Sequence, residues 1–376
     1  MKFNVSSKTL YSCVSAVSKV INAKNALAIL NNFHFRLADN RLTVTGSDVE
    51  NALSGIVDVS EAEGEGSFCI DARRMVDLLK ELPDQGLEIN IDDQTLAVEI
   101  SYSNGKYSMV AIAGDQYPNY NSDDDSEESV SFACPTEQLI KGIDNTLFAV
   151  GTDDFHPQMM GILLDIKPEN ITFVSTDTRK LVRYTNSISA PGVTARCILP
   201  VKPATVLKTV FAKEQTVSVN MTSKSATIRS ESFVFNCRFI KGNFPDYNRV
   251  IPTNNPFTLR VDRMRFLNAV RRVGVFVDPG YGMEKFQITS DQIHIKSSDP
   301  NLCTSGNEKL DCEYEGADLV IGFSAPFLIE ICNVLSTPDI VVSLSDPSRP
   351  GVFRPSENDE NTDLLMLLMP MNVNEF

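Results

Sequence analysis

The chain has only three histidines, His34, His156 and His294, and none stands at a spacing that pairs it with a nucleophile or a second metal ligand. Its eight cysteines (Cys13, Cys69, Cys134, Cys197, Cys237, Cys303, Cys312, Cys332) form no CxxC pair and no Cys/His pattern suited to zinc, so reduced, structural thiols are expected. A nucleophile elbow, a Walker loop and a dinucleotide fingerprint are all missing. Gly64-Glu-Gly66 and Gly280-Tyr-Gly282 lack the rest of any phosphate-binding pattern and read as turns. No apolar run approaches the ~18 residues of a membrane helix. Lys8 and several Ser and Thr residues occupy the stretch where a signal peptide needs an apolar block. These absences leave a soluble, cytoplasmic protein with no metal, no cofactor, no membrane partner and no catalytic residues.

What is present is ordinary globular composition, 42% hydrophobic and 22% charged, in 376 residues. That length exceeds a usual single core of roughly 100 to 150 residues and predicts two or three domains. An internal repeat decides between them. Phe3, Phe132 and Phe257 each open an alternating, strand-like segment that runs into a helical pattern, and they lie 129 and 125 residues apart. Leu10, Leu139 and Met264 each follow seven residues later. Mid-repeat, strands end in Ser/Thr-rich turns at Asp48, Asp177 and Asp299, and helical patterns recur at Ala72 to Leu82, Pro203 to Ala212 and Ala325 to Leu335. Gly114-Asp-Gln-Tyr-Pro-Asn-Tyr120 echoes Gly242-Asn-Phe-Pro-Asp-Tyr247. Three similar domains follow, with boundaries at 1–125, 126–252 and 253–376.

Between helices the chain alternates as strands, for example Leu42 to Thr45, Leu96 to Tyr102, Thr216 to Val219 and Ala226 to Arg229. The expected class is α+β, each domain an antiparallel sheet with two helices. The acidic run Ser122 to Ser129 lacks the glycine and closing glutamate of an EF-hand and reads as a solvated linker. Asp48, Asp153, Asp154, Asp177 and Asp299 could supply acid and base. Three of them share one repeated position, however, where turn formation explains them more simply.

The net charge of −15 argues against a wholly basic nucleic-acid surface. Basic residues nevertheless recur at helical spacings: Lys8 with Lys19, Arg73 with Lys80, Lys202 with Lys213, and Arg265 with Arg272. Gathered on one surface, such stripes would present a positive lining to phosphates on an otherwise acidic chain.

Several stretches together resemble the beta subunit of bacterial DNA polymerase III. They are Met1-Lys-Phe-Asn-Val5, Leu27-Ala-Ile-Leu-Asn-Asn32, Leu42-Thr-Val-Thr-Gly-Ser-Asp48, Ser175-Thr-Asp-Thr-Arg-Lys-Leu181, Phe244-Pro-Asp-Tyr-Asn-Arg-Val-Ile-Pro252 and Leu367-Leu-Met-Pro-Met371. The resemblance spans the whole chain. It implies the DNA clamp fold and a head-to-tail homodimeric ring that encircles duplex DNA without reading its sequence. It also implies partners: the polymerase III catalytic subunit, other polymerases, and a separate clamp loader complex.

The resemblance further implies a peptide-binding pocket formed by His156, Met159, Thr176, Arg179, Lys180, Leu181, Pro245, Arg249, Val250, Leu367, Met369, Pro370 and Met371. In it, Leu and Met would give an adaptable apolar surface, with Arg and Lys at the rim. Lys24 matches a position whose basic residue touches duplex. Arg73, Lys202 and Arg265 join it as DNA-binding candidates on helix spacing alone. Tyr107 and Met109, on an expected edge strand, would meet Val275 and Phe276 of a second copy. Thr178 and Arg179 depart from the Gly and His that many relatives carry, and the tail continues through Asn374-Glu-Phe376. Two rival readings remain: a non-encircling peptide-binding adaptor, and a metal-dependent hydrolase built on the Asp turns.

Overall fold

Helices start where a strand delivers a capping side chain. In the computed structural model, which describes residues 1–118, 128–277, 282–299 and 301–373, the Ser6 hydroxyl and the Asp71 and Asp262 carboxylates accept the backbone N–H groups of Thr9, Arg74 and Arg265. These caps begin α1 (Ser7–Val17), α2 (Ala72–Glu81) and α5 (Arg263–Gly274). The remaining α-helices among the described residues are α3 (Thr136–Thr146), α4 (Val201–Val210) and α6 (Ala325–Val334). The helical patterns at Ala72 to Leu82, Pro203 to Ala212 and Ala325 to Leu335 thus yield helices, within a residue or two of their expected bounds. Helix α1 buries Leu10, Cys13, Val14 and Val17, the i, i+3, i+4, i+7 stripe of an amphipathic helix.

The chain forms two compact units, one of Met1–Glu137 with Lys202–Phe239, the other of Gln138–Val201 with Ile240–Phe376. In the first, a five-stranded sheet runs in the order Ser60–Glu63, Lys2–Ser6, Gly86–Ile91, Ala97–Tyr102, Gly105–Val110. A nine-stranded sheet accompanies it: Ile112–Ala113, Gly66–Asp71, Asn32–Ala38, Arg41–Ser47, Asn51–Asp58, Phe233–Arg238, Ser225–Arg229, Thr216–Met221, Val130–Pro135. In its middle the first repeat joins the second, with Leu53 opposite Phe235.

The second unit repeats this plan. Its nine-stranded sheet runs Ala195–Pro200, Gly161–Lys167, Asn170–Thr176, Lys180–Asn186, Thr362–Leu368, Gly351–Pro355, Asp339–Leu344, Phe257–Asp262, Glu313–Glu315. Here the second repeat joins the third, with Leu181 opposite Leu367. A four-stranded sheet runs Thr304–Asp311, Gln292–Asp299, Met283–Ile288, Leu319–Ser324. Neighbouring strands in all four sheets pair antiparallel, as the alternation predicts; Phe235 and Phe353, for example, are enclosed within their own units.

The repeated aspartate performs one job three times. Asp48 accepts the N–H groups of Glu50 and Asn51 (3.1 and 2.7 Å), Asp177 those of Arg179 and Lys180 (2.9 and 2.8 Å), and Asp299 those of Asn301 and Leu302 (2.8 and 3.2 Å). These are Asx turns, so the aspartates are structural. Two residues earlier, the strand meets a helix end. Ser175 donates its hydroxyl to the Thr146 carbonyl (2.5 Å) and Ser297 donates to that of Val273 (2.7 Å). Gly46 holds the same place in the first repeat because a Cβ there would lie 2.9 Å from Val17 Cγ1.

Most of the acidic run Ser122 to Ser129, the tail residues Asn374, Glu375 and Phe376, and part of both the Gly114–Tyr120 and Gly280–Gly282 motifs lie outside the described residues. Among the described residues, all eight cysteines are free, and most are buried; burial pushes the Cys13, Cys69, Cys134, Cys237 and Cys332 thiols up to about 12. No cluster of three or more His, Cys, Asp or Glu side chains among them suits a metal ion, and no helix is long and apolar enough to cross a membrane.

Candidate functional site

The turn after strand Asn170–Thr176 carries backbone strain. Thr178, a β-branched residue, sits at φ +76°, where L-residues without glycine's freedom pay a steric penalty. The Thr176 hydroxyl holds the turn, accepting the Thr178 N–H at 3.2 Å while donating to the Lys180 carbonyl at 2.7 Å. Facing it is the segment Gly151 to Met159, closed by the Gly151 N–H donating to the Met159 carbonyl (2.9 Å). Within that segment Asp153 accepts the Phe155 N–H (3.0 Å) and pairs with His156 Nδ1 (2.9 Å). Those two hydrogen bonds, the backbone one first, hold the Asp153 carboxyl below its usual range.

Between turn and segment lies a groove of about 340 Å³, lined by Gly151, Thr152, Asp153, His156, Met159, Asp177, Thr178, Arg179 and Phe327. The expected residues His156, Met159 and Arg179 therefore come together. Met369 is tied to them, its N–H donating to the Arg179 carbonyl at 2.8 Å, and it is partly exposed. Met371 bridges to Gly322, and Pro370 lies half-buried between the two. Gly151, Thr152 and Phe327 were not legible as site residues. Phe327 follows Pro326 at the start of α6, and in sequence it is indistinguishable from a core aromatic.

The apolar part is more enclosed than the sequence suggests. Leu181 and Leu367 do not face solvent; they pack with Leu163, Val174, Ile198, Phe244 and Tyr247 in a buried cluster. The Tyr247 hydroxyl donates to Asp165 (2.9 Å), and burial foremost raises its pKa to about 12. Phe244 and Tyr247 anchor the turn that displays Pro245, Arg249 and Val250. Arg249 is exposed, paired with Asp246 at 3.0 Å, and Val250 is also exposed.

Lys180, expected at the rim, is buried. Its buried ammonium is paired with Glu330, lies 3.7 Å from Asp177, and sits 4.3 Å from the centre of the Phe327 ring. It braces the wall of the groove through Phe327 and Glu330.

The basic residues divide similarly. Lys24 and Arg265 are exposed, and Arg73 is 92% exposed on α2, with Asp77 at 3.8 Å. Lys202 is a third exposed and already engaged: its ammonium donates to Asp48 (2.5 Å), Asn22 Oδ1 (2.6 Å) and the Val20 carbonyl. The helical stripes also shorten. Lys19 lies beyond α1, Lys213 beyond α4, and Arg272 is paired with Glu308.

The strand Gly105–Val110 is an edge strand, as expected for Tyr107 and Met109. Tyr107 stacks on Tyr102 and remains partly exposed, as does Met109; Val110 beside them is largely exposed. Val275 and Phe276 follow α5, Val275 76% exposed. Phe276 covers Gly306 of the edge strand Thr304–Asp311, where a Cβ would come within 2.9 Å of its ring. Each unit thus carries an open sheet edge beside exposed apolar side chains.

The fold is that of the sliding clamps. It matches the DNA polymerase sliding clamp from Pseudomonas aeruginosa with a TM-score of 0.92 at 23% identity, covering 99% of this chain and 100% of that one. A second structure of that clamp, bound to griselimycin, also gives 0.92 at 22% identity, with the same coverage. The DNA polymerase III beta subunit from Thermotoga maritima gives 0.90 at 22% identity, covering 99% of each.

Three family models match in tandem: DNA polymerase III beta subunit N-terminal domain over residues 1–121, central domain over 133–246 and C-terminal domain over 248–372. The chain belongs to the DNA polymerase III beta subunit family. The Beta sliding clamp of Pseudomonas putida is 26% identical over 99% of this chain and 100% of its own length, and that of Bacillus subtilis 24% over 99% of each.

Proposed function

We propose that this chain is a sliding clamp: two copies close head to tail around duplex DNA and confer processivity on the replicative polymerase without catalysing a reaction. The tandem match of all three family models along the chain carries this reading. A ring gains persistence on DNA from topology, so its phosphate contacts can be weak, exchangeable and blind to sequence. The domains are assigned to 1–125, 126–252 and 253–376. Lys24, Arg73 and Arg265 are the proposed phosphate contacts. Tyr107 and Met109 of one copy are proposed to meet Val275 and Phe276 of the next.

The groove beside Thr178 is proposed to receive peptides of the polymerase III catalytic subunit, other polymerases and the clamp loader. His156, Met159, Arg179 and Met369 would provide its contacts, with the turn at Pro245, Arg249 and Val250 and the strip Pro370–Met371 extending them. Thr176, Leu181 and Leu367 support its shape. The proposed setting is the cytoplasm.

Primer extension on a long, singly primed circular template tests the reading. With the cognate polymerase and loader, adding the chain is expected to lengthen products per binding event by at least tenfold. A peptide-binding adaptor that does not encircle DNA would leave product length unchanged.

A further inference from the structure

The four-stranded sheet of the second unit has an outward face, bordered at its edge strand Thr304–Asp311 by the proposed junction residue Phe276, to which the clamp reading assigns no ligand. Its outward residues form cross-strand rows: Lys285 opposite Lys296 and Lys296 opposite Asn307, then Gln287 opposite His294 and His294 opposite Lys309, with Ser298 opposite Ser305. Met283, Lys285, Lys296, Ser298, Ser305 and Asn307 line a hollow of about 310 Å³ there. No carboxylate lines it among the described residues.

Like charges directly opposite one another on antiparallel strands destabilise a sheet. Among the described residues no carboxylate lies within ion-pair distance of Lys285, Lys296 or Lys309, although the chain has 49 acidic residues to 34 Lys and Arg. The five-stranded sheet of the first unit behaves differently, since Lys2 lies 2.8 Å from Glu88 and Lys106 is paired with Glu99. Glu308, beside Lys309 in sequence, is taken by Arg272, and Asp311 lies one step beyond Lys309 on the same face. His294 Nε2 lies 2.6 Å from Asn307 Oδ1. That oxygen only accepts, so the ring nitrogen donates and the Asn307 amide nitrogen is left as an unused donor.

We propose that this face docks the carboxylate side chains of an extended, acidic segment of a partner protein. Ammonium, hydroxyl and amide donors surround the hollow, and lysine rows one strand apart match carboxylates along an extended chain. Three cations suffice for two or three carboxylates. They are too few to hold a polyphosphate against the chain's net charge of −15. The inference stands apart from the clamp reading, because it requires neither ring nor groove.

The test is fluorescence anisotropy of a labelled hexaglutamate peptide titrated with the full chain at about 50 mM salt, where surface attraction is weakly screened. Wild type is expected to bind it, more weakly as salt rises. Lys285→Glu with Lys296→Glu is expected to lose at least tenfold in affinity and Lys309→Glu roughly threefold, with unchanged circular dichroism. If the double reversal fails to fold, Lys285→Gln with Lys296→Gln is expected to give a loss of about fivefold. The proposal is overturned if wild type does not bind the peptide, if the variants bind it equally, or if a labelled dT6 oligonucleotide binds wild type more tightly than hexaglutamate.

Discussion

The ammonium of Lys202 lies 2.5 Å from the carboxylate of Asp48, a side chain only 6% exposed, and so the turn of the first repeat is closed by a cation. At the matching turn of the second repeat, around Asp177, a groove opens beside Thr178. One repeated turn thus serves as a strut in one place and as a candidate binding site in the other.

Removing the strut leaves a nearly buried carboxylate without its cation. Lys202→Ala is expected to destabilise the first unit by about 2 kcal/mol, below the ~3 to 5 of a fully buried pair because Lys202 itself is a third exposed. In an Asp48→Ala background, which by itself loses the turn's hydrogen bonds, Lys202→Ala is expected to cost less, a coupling that urea unfolding of the four proteins in the cycle measures. Arg73→Ala is expected instead to weaken DNA retention, reduce its salt dependence and leave unfolding unchanged. The reverse pattern would contradict both assignments.

Thr178 at φ +76° and Val49 at φ +83° hold equivalent strained positions. A left-handed β-branched residue costs roughly 1 to 2 kcal/mol; glycine relieves that strain but gives back part of the gain through its freer unfolded chain. Thr178→Gly is therefore expected to raise stability by about 0.5 to 1 kcal/mol, and Val49→Gly by a similar amount. Thr178→Ala, which keeps the Cβ, should gain less. Differential scanning calorimetry of the three variants decides.

Glu284 is fully buried beside Gly274, and neither carboxylate oxygen has a hydrogen-bond partner among the described residues. Burial raises its pKa from 4.5 to about 8. The folded chain therefore keeps a proton that the unfolded chain releases. This group's contribution to stability is largest below about pH 4.5, falls as pH rises towards 8, and is level above that. Glu284→Gln is expected to flatten the decline of melting temperature between pH 5 and 8. An unchanged slope would show that the carboxyl is not the group responsible.

The groove makes a separable prediction. Met159→Ala and Arg179→Ala are expected to weaken binding of a polymerase-derived peptide by about tenfold each without altering thermal stability, since both side chains border the groove. Lys180→Ala should do the opposite, lowering stability because Glu330 and Phe327 lose their partner. Isothermal titration paired with thermal unfolding distinguishes the two behaviours.

The repeat was legible because Phe3, Phe132 and Phe257 occupy strands that run directly into helices, a local pattern of alternation followed by helical periodicity. The Asp48, Asp177 and Asp299 turns were legible for the same reason: their hydrogen bonds reach two and three residues ahead. The pairing of Lys202 was not legible because its partner Asp48 is 154 residues away, and helix spacing carries no information about such a contact. The burial of Lys180 was hidden likewise, its partner Glu330 being 150 residues on. The joining of successive repeats within one nine-stranded sheet, through Leu53 with Phe235 and Leu181 with Leu367, is also set by packing between distant segments.

Encirclement is a topological property, and retention on DNA before and after cutting reads it out. The chain is loaded by its cognate loader onto nicked circular DNA, freed of unbound protein, and the DNA is then linearised with a restriction enzyme. The account predicts that protein held on the circle is released once ends exist, while Tyr107→Arg with Val275→Arg, at the proposed junction, is not retained even on the circle. Retention that survives cutting would mean ordinary surface binding and would contradict the encircling ring.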